Sequence, residues 1–404
     1  MCSPRSCPPH AYLIVLLGAL VAFGPLSIDM YLPGLPAIAQ GLNAPISQIQ
    51  LTVGGFLAGL CLGMLVYGPL SDRYGRRPVL LSGIALYLVA SLACALAHNA
   101  EQLIALRVLQ AIGGGAGSVM GRTVVRDVFA LDEAAQTLSL LHLVTMIAPL
   151  LAPILGSWLL LYAGWRALFL VLALFGAACL LVVALFLPES HPADRRGDLT
   201  LMAAFRAYGR LFADPPSIGY LLANGLTFGA MFAYITGSPF VYIQYFGLSP
   251  QRYGYLFALN TAGIIALTLL NKRLSRRVAP DQLLQGQTAL VAMAGSALWL
   301  LGARHLLSVF LPLLIPIGLT GSIGPNAMAR LLQRHAEQAG AAMALAISAQ
   351  FGLGMLASSL VAMLQDGTPR AMCLVVALCC VGAWLGLQWV RLHPVAAHAC
   401  AESK

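Results

Sequence analysis

Asp29 is an acidic residue in a setting where charge is costly. It is the only charged residue between Arg5 and Asp72. If a first helix ended at Tyr31, Asp29 would be an ordinary interfacial residue. If the apolar run continued through Ile38 as a kinked helix, the carboxyl group would lie inside a membrane, where an ionisable residue is usually functional. We favour the kinked helix, because burial disfavours the charged carboxylate and suits the group to exchanging a proton.

Arg107 is the basic counterpart of Asp29, inside another apolar stretch. Gln110 follows it one helical turn later. One interpretation is an arginine whose long side chain reaches the nearest membrane interface. The other is a cation in a central cavity, where it favours the ionised form of a nearby acid. The sequence leaves both open, and we take Asp29 and Arg107 together as the candidate proton-coupling residues.

Several other kinds of chemistry are disfavoured by the residues that are missing. The only lysines are Lys272 and Lys404, and neither stands in the Gly-x-x-x-x-Gly-Lys-Ser/Thr loop of a P-loop ATPase. The nine cysteines include no Cys-x-x-Cys pair, which favours small apolar fillers and reduced thiols over a metal site or disulfides. We therefore predict no enzyme activity, no cofactor and no bound metal.

The elements that must position these residues follow from composition. The chain of 404 residues is 59% hydrophobic and only 9% charged, whereas a soluble domain carries about 25% charged residues. The mean hydropathy of +0.84 agrees, so we expect an all-α membrane protein with many spans. A span needs about 20 apolar residues. Twelve nearly charge-free stretches meet this need: 11–31, 50–71, 78–97, 103–121, 137–161, 167–187, 217–237, 253–271, 283–303, 306–329, 341–364 and 371–390.

The orientation of the chain follows from its basic residues. Lys and Arg concentrate in alternate loops, on the side that also carries the two termini. The positive-inside rule then places both termini in the cytoplasm. The same asymmetry explains the net charge of +9 without a nucleic-acid partner.

The chain divides into two similar parts. The longest polar stretch, 188–216, separates six predicted spans from six others. Basic turns follow the second and the eighth span, at Asp72–Arg77 and Lys272–Arg277. We predict an N-terminal six-helix half over 1–187, a cytoplasmic linker over 188–216 and a C-terminal six-helix half over 217–404. Two such parallel repeats are typical of a transporter whose site lies between the halves.

A specific motif follows the second span: Gly68-Pro-Leu-Ser-Asp72-Arg73-Tyr-Gly75-Arg76-Arg77. The glycines permit a tight turn between two helices, and Asp72 and Arg76, four residues apart, can form an ion pair. The motif resembles the signature loop of the major facilitator superfamily. We expect it to form, with an acid at the end of the fourth span, a cytoplasmic charge cluster that closes the outward-facing state. The predicted gating residues are Gly68, Asp72, Arg73, Gly75, Arg76 and Asp127.

Further motifs resemble the twelve-helix drug:proton antiporters of that superfamily. They are Leu32-Pro-Gly-Leu-Pro-Ala-Ile-Ala39, Arg107-x-x-Gln110-x-x-Gly113, and Ala152-Pro153-Ile-Leu-Gly156-Ser157, which departs from its pattern at two glycine positions. Pro25-Leu-Ser-Ile-Asp29-Met-Tyr-Leu-Pro33 and Ser238-Pro-Phe-Val-Tyr242-Ile are similar to the bicyclomycin/chloramphenicol-resistance (Bcr/CflA) group in particular. The resemblance implies a proton-coupled exporter of small antibiotics in the inner membrane of a Gram-negative bacterium.

The expected drug site draws on polar and aromatic residues within spans. A mixed apolar and aromatic pocket with few fixed polar groups suits several neutral drugs, although each aromatic residue could equally be packing. Besides Asp29 and Arg107, the candidate substrate-binding residues are Met30, Gln110, Asn224, Phe228, Phe232, Tyr234 and Gln350. We expect a monomer. A metabolite exporter, a facilitator of the same fold and a non-transporting membrane sensor remain as alternatives.

Overall fold

The computed structural model describes residues 10–191, 201–301, 304–335 and 338–392, and these residues form helices without any strand. The α-helices are α1 (His10–Val21), α2 (Phe23–Asp29), α3 (Leu35–Gly41), α4 (Ile46–Tyr74), α5 (Arg76–Ala95), α6 (Ala100–Val128), α7 (Leu131–Phe186), α8 (Leu201–Phe212), α9 (Pro215–Pro239), α10 (Pro250–Leu274), α11 (Pro280–Leu301), α12 (Leu306–Arg334), α13 (Ala339–Met363) and α14 (Arg370–Leu392). A 3₁₀ turn, Leu32–Gly34, joins α2 to α3, and a π-helix, Phe240–Tyr245, extends α9.

The first span is broken. α1 and the helical run from Phe23 to Gly41 meet at an angle of 44°. The bend lies at Ala22, and Pro25 lacks the N–H group that a continuous helix would bond to the carbonyl of Val21. Helical structure nevertheless continues past Tyr31 to Gly41, so the chain follows the kinked-helix alternative.

The number of spans agrees with the sequence once two breaks are considered. Within the described residues, ten helices are long and apolar enough to cross a membrane, and the bent first pair makes an eleventh. α7 has a non-helical residue, Gly164, with φ 73° and ψ 177°. Glycine tolerates this positive φ without steric cost. Gly164 therefore divides α7 into two spans, 131–163 and 165–186, which brings the total to twelve.

Successive spans run in alternating directions, which gives the molecule two ends. The basic end carries the turns at 75, 129–130 and 275–279 and the segments 187–191 and 213–214, and the opposite end carries the turns at 42–45, 96–99, 246–249 and 365–369. α8 packs at the basic end against α9, α13 and α4. The predicted linker 188–216 is described only in part, because residues 192–200 lie outside the described residues.

The helices form two packed groups. The first group is α1–α7 and the second is α9–α14, and they meet along a seam in which α4 packs on α13 and α7 packs on α10. Small residues permit this close approach. The Sγ of Cys61 donates to the carbonyl of Ser348 at 3.4 Å, and a Cβ added to Gly254 would lie 3.1 Å from the carbonyl oxygen of Pro153.

Candidate functional site

Asp29 lies at the seam, at the carboxyl end of α2. Its side chain is buried, with a residue exposure of 4%. No hydrogen bond or ion pair of its carboxyl group is found within the described residues. The adjoining 3₁₀ turn packs against α9 and α10 of the second group, the helices that carry Tyr234 and Tyr253. A buried carboxyl group without a cation is favoured in its neutral form.

These two tyrosines are held in place by buried neighbours. Asn260 donates its Nδ2 to the hydroxyl oxygen of Tyr234 at 3.0 Å. The hydroxyl groups of Ser238 and Tyr253 are 3.2 Å apart, and the ring of Tyr234 stacks on Phe257 at 5.7 Å. All of these residues are buried. The sequence indicated only Tyr234; polar residues inside apolar spans, such as Asn260, were the available signal for the others.

Arg107 is fully buried in the first group, at 0% exposure. One terminal nitrogen donates to Oε1 of Gln110 at 2.5 Å, and the other donates to the carbonyl of Ser27 at 3.0 Å. The guanidinium lies over the rings of Tyr31 at 4.5 Å and Phe56 at 4.1 Å. The structure therefore excludes the interpretation in which the side chain of Arg107 reaches a membrane interface. A cation at the carbonyl end of a helix is favourable, and Arg107 occupies this position on α2.

The structure connects Arg107 to Asp29 through the backbone of α2. Ser27, whose carbonyl Arg107 holds, precedes Asp29 by two residues, and the described residues contain no ion pair between the two predicted coupling residues. The polar network continues into α5: Gln110 donates to Ser91 at 2.7 Å, and the hydroxyl groups of Ser27 and Tyr87 are 2.7 Å apart. Sequence reasoning missed Ser27, Tyr87 and Ser91.

The predicted substrate-binding residues do not form a single cluster. Met30 is buried beside Asp29, where its carbonyl faces Gly156 so closely that a Cβ there would collide with the oxygen. On the other side, Gln350 of α13 donates to Oδ1 of Asn224 on α9 at 2.8 Å. Phe228 contacts the ring of Phe232 at 5.0 Å between centroids. Gln110 belongs to the Arg107 network, and Tyr234 lies in α9 against Asn260 and Phe257. Phe228 and Gln350 are partly exposed.

The predicted gating residues come together at the basic end. Arg76 donates to Oδ1 of Asp72 and, at 3.0 Å, to Oδ2 of Asp127. It also donates to Oγ of Ser71 at 2.6 Å. The cluster therefore ties α4, α5 and α6 together within the first group, and its role in gating stays a prediction.

The turn that carries this cluster depends on glycine. Gly75 has φ 100°, which favours glycine, while a side chain at Gly68 would meet no atom within 4 Å. The carboxylate of Glu189 accepts from the backbone N–H groups of Arg76 and Arg77 at 2.9 and 3.2 Å, and so caps α5. Arg73 lies over the neighbouring ring of Tyr74 at 5.4 Å.

A second charge cluster at the basic end was not predicted. Arg334 at the end of α12 donates twice to Asp214, which caps α9, with both distances 2.6 Å. Ser217 donates to the same carboxylate and contacts Nε2 of His335 at 2.7 Å. The hydrogen bonds from Arg334 hold the pKa of Asp214 well below its ordinary value. The cluster joins α9 to α12 within the second group.

Comparison with known proteins places the chain in a family. A family model described as Major Facilitator Superfamily matches residues 15–359. The chain belongs to the Major Facilitator Superfamily. Among its relatives in this superfamily is an uncharacterized MFS-type transporter, YdgK, of Bacillus subtilis, which is 36% identical over 86% of this chain and 88% of the relative.

Two further superfamily relatives carry names that mention resistance. The bicyclomycin resistance protein homolog of Haemophilus influenzae is 32% identical over 91% of this chain and 93% of its own length. The multidrug resistance protein MdtL of Shigella dysenteriae is 30% identical over 94% and 96%. The resemblance of the sequence motifs to the major facilitator superfamily is thus confirmed.

Solved structures confirm the major facilitator fold. A bacterial homolog of the human lysosomal transporter Spinster, in an inward-facing and unoccupied conformation, aligns with a TM-score of 0.72 at 16% identity over 96% of each chain. The D-xylose-proton symporter aligns with a TM-score of 0.69 at 16% identity, over 92% of this chain and 97% of that one. At this identity the likeness concerns the fold, which is that of a multi-pass membrane transporter.

Proposed function

We propose that this protein exports small antibiotics or other small drugs across a bacterial inner membrane in exchange for protons, by alternating access. The names of the Haemophilus and Shigella relatives support drugs as the substrate class. The basic end faces the cytoplasm, as does each terminus, because the positive-inside rule favours that orientation. The protein acts as a monomer, with 1–187 and 217–404 as the two halves that move about the linker 188–216.

The observation that carries the proton-coupling proposal is the burial of Asp29 at the seam between the two groups of helices. A carboxyl group there is favoured as the neutral acid while the seam is closed. Protonation from outside permits the return to the inward-facing state, and a drug that arrives from the cytoplasm favours release of the proton. Arg107 acts on this exchange by holding the carbonyl of Ser27.

The proposed drug site lies between the groups and uses residues from both. Met30 and Gln110 belong to the first group. Asn224, Phe228, Phe232, Tyr234 and Gln350 belong to the second. The rings of Phe228, Phe232 and Phe351 form a connected aromatic surface, and the Asn224–Gln350 pair supplies its polar groups. Such a surface suits neutral drugs of moderate size.

A drug-susceptibility panel in an efflux-deficient bacterial host tests the proposal. Expression of the wild-type protein is expected to raise resistance to bicyclomycin or chloramphenicol and to lower the amount of drug that accumulates in the cells. A proton uncoupler is expected to bring drug accumulation back to the level of cells without the protein. Asp29→Asn is expected to lose this protection, whereas Asp366→Asn, in an exposed turn of the opposite end, keeps it. Export that persists under the uncoupler would indicate a facilitator, and protection by Asp29→Asn at equal membrane levels would exclude Asp29 as the coupling group.

A further inference from the structure

A chain of hydrogen bonds joins two amide side chains in the second group. The Nδ2 of Asn224 on α9 donates to the backbone carbonyl of Ala346 on α13 at 3.4 Å. The Oδ1 of the same asparagine accepts from Nε2 of Gln350, also on α13, at 2.8 Å. Asn224 is buried at 2% exposure, whereas Gln350 is half-buried. The chain therefore leads from a buried backbone carbonyl to a side chain that reaches accessible space.

The inner end of this chain fixes the direction of every bond in it. A backbone carbonyl can only accept, so Asn224 turns its NH₂ group to Ala346 and its oxygen to Gln350. That oxygen also only accepts, so Gln350 turns its NH₂ group to Asn224. The Oε1 of Gln350 is left over as an acceptor to which no described residue donates. This oxygen is accessible, since it is not among the buried polar atoms that lack a partner in the described part of the chain.

A glycine of α12 leaves the room that the two amides need. A Cβ added to Gly324 would lie 3.0 Å from Oδ1 of Asn224 and 3.6 Å from Nε2 of Gln350. The first distance is shorter than ordinary contact, so an alanine here would displace the Asn224 amide. Three helices, α9, α12 and α13, therefore meet at this pair and hold it in one orientation.

The free acceptor lies on the side of α13 that faces the first group. Gln350 follows Met343 by seven residues, and positions seven apart share one face of a helix. The sulfur of Met343 contacts the guanidinium of Arg126, on α6 of the first group, at 3.9 Å. Beside Gln350, the ring of Phe351 packs edge-on against Phe228 at 5.5 Å between centroids. The Gln350 amide is thus a fixed polar group next to the aromatic surface of the proposed drug site.

We propose that Gln350 determines specificity, because its Oε1 accepts a hydrogen bond from the drug, and that Asn224 is the residue that positions it. The substrates are then neutral molecules that carry an O–H or N–H donor beside an apolar surface. The inference rests on the proposed function and names the chemistry that its drug site recognises. A site built to bond a donor rejects analogues that lack the donor, since its own acceptor would stay unpaired.

Binding of chloramphenicol to purified protein in lipid nanodiscs, measured by isothermal titration calorimetry, tests this polarity. Chloramphenicol carries O–H and N–H donors as well as carbonyl and nitro acceptors, so it can bond to either end of an amide. Gln350→Met keeps the length of the side chain without the acceptor and is expected to weaken binding about tenfold. Gln350→Glu keeps an acceptor oxygen and is expected to bind within about threefold of the wild type or more tightly.

Asn224→Leu and Gly324→Ala test the positioning role. Each leaves Gln350 in place but releases or displaces its partner, so each is expected to weaken binding about threefold. Added to Gln350→Met, Asn224→Leu is expected to cause no further loss, because the group that it positions is already absent. Gln388→Met is the matched control, with wild-type binding expected. Gln388 is also half-buried in the second group, but its amide oxygen accepts only from Arg391 of its own helix among the described residues, at 3.5 Å.

Equal binding by the wild type and Gln350→Met would overturn the inference. A loss in Gln350→Glu as large as that in Gln350→Met would also overturn it, because the amide would then act as a donor. Additive losses in the double variant would remove the positioning role of Asn224.

The titration measures binding alone, so its result is separate from that of the susceptibility panel. Binding that depends on Gln350 in a protein that confers no resistance would refute export and leave the inference standing. Resistance together with unchanged binding by Gln350→Met would do the reverse. Gel filtration and thermal unfolding check that each variant is folded, and Gly324→Ala tests the same pair if Asn224→Leu is not.

Discussion

Arg107 illustrates how much a single buried residue depends on its partners. Its positive charge faces no acid in the described residues; two aromatic rings within 4.5 Å and the carbonyl of Ser27 stabilise it instead. The fork of the guanidinium is what allows simultaneous bonds to Gln110 and to Ser27. A lysine offers a point charge without that fork.

Arg107→Lys is therefore expected to lower drug export by about tenfold or more, the equivalent of about 1.4 kcal/mol or more in the positioning of α2. The loss is measured as the rate of bicyclomycin transport into inverted membrane vesicles that contain equal levels of each protein. Arg166→Lys is the control, because Arg166 is exposed and makes a long 3.4 Å hydrogen bond to the carbonyl group of Ala97. Wild-type transport by Arg107→Lys would show that the charge alone suffices.

At the scale of the helix, the contact between α7 and the broken first span is the closest approach at the site. Gly156 lies directly against the carbonyl of Met30, and a methyl group there would force the two helices apart. Gly156→Ala is expected to destabilise the protein by about 1–3 kcal/mol and to reduce export. Thermal unfolding in detergent measures the first effect. Gly286→Ala in α11, where a Cβ meets nothing within 4 Å, is expected to leave stability unchanged or raise it.

The cap of α9 gives a pH-dependent prediction. Hydrogen bonds from Arg334 lower the pKa of Asp214 in the folded chain, below the value of about 3.9 in an unfolded chain. The resulting stability is fully present above the unfolded pKa and is lost as the pH falls towards the folded one. Asp214→Asn is expected to cost about 1–2 kcal/mol at pH 7 and to flatten the acid limb of a plot of unfolding midpoint against pH. Asp281→Asn, from a more exposed pair, serves as the control; equal acid limbs in wild type and Asp214→Asn would contradict the assignment.

The positions of the membrane-spanning helices could be predicted where a long apolar stretch of sequence sets them. The expected span 50–71 lies within α4, whose last turn also accommodates Asp72 and Arg73. A kinked first helix was the favoured one of two alternatives, but the 44° bend at Ala22 was not predicted. The surroundings of Arg107 could not be predicted, because their aromatic rings come from separate helices and only tertiary packing brings them together.

At the scale of the whole molecule, transport requires that the two groups exchange two arrangements. The seam is lined by small residues, such as Gly54 of α4 beside Ser358 and Ser359 of α13. Close backbone contact of this kind permits one element to rock against another without separating large interlocked side chains. The carboxyl group of Asp29, at the seam, and the charge cluster at the basic end belong to the same moving assembly, where each can bias the equilibrium between the two arrangements.

The charge cluster at the basic end, formed by Asp72, Arg76 and Asp127, gives a prediction about the equilibrium between the two arrangements of the helices rather than about drug binding. Arg76 lies between Asp72 and Asp127, and all three are partly or fully shielded from water. Asp72→Asn removes one ionic partner of Arg76. If this contact differs between the two arrangements, the equilibrium shifts by that difference, and one charged hydrogen bond of about 1.5–3 kcal/mol is enough to change it more than tenfold.

Export by Asp72→Asn is therefore expected to fall about tenfold at wild-type membrane levels while bicyclomycin binding to purified protein is retained. Asp281→Asn, at the same end of the molecule but outside the cluster, is expected to export normally. Normal export by Asp72→Asn would mean that the cluster only braces α4, α5 and α6, and a loss of binding would place its effect at the drug site instead.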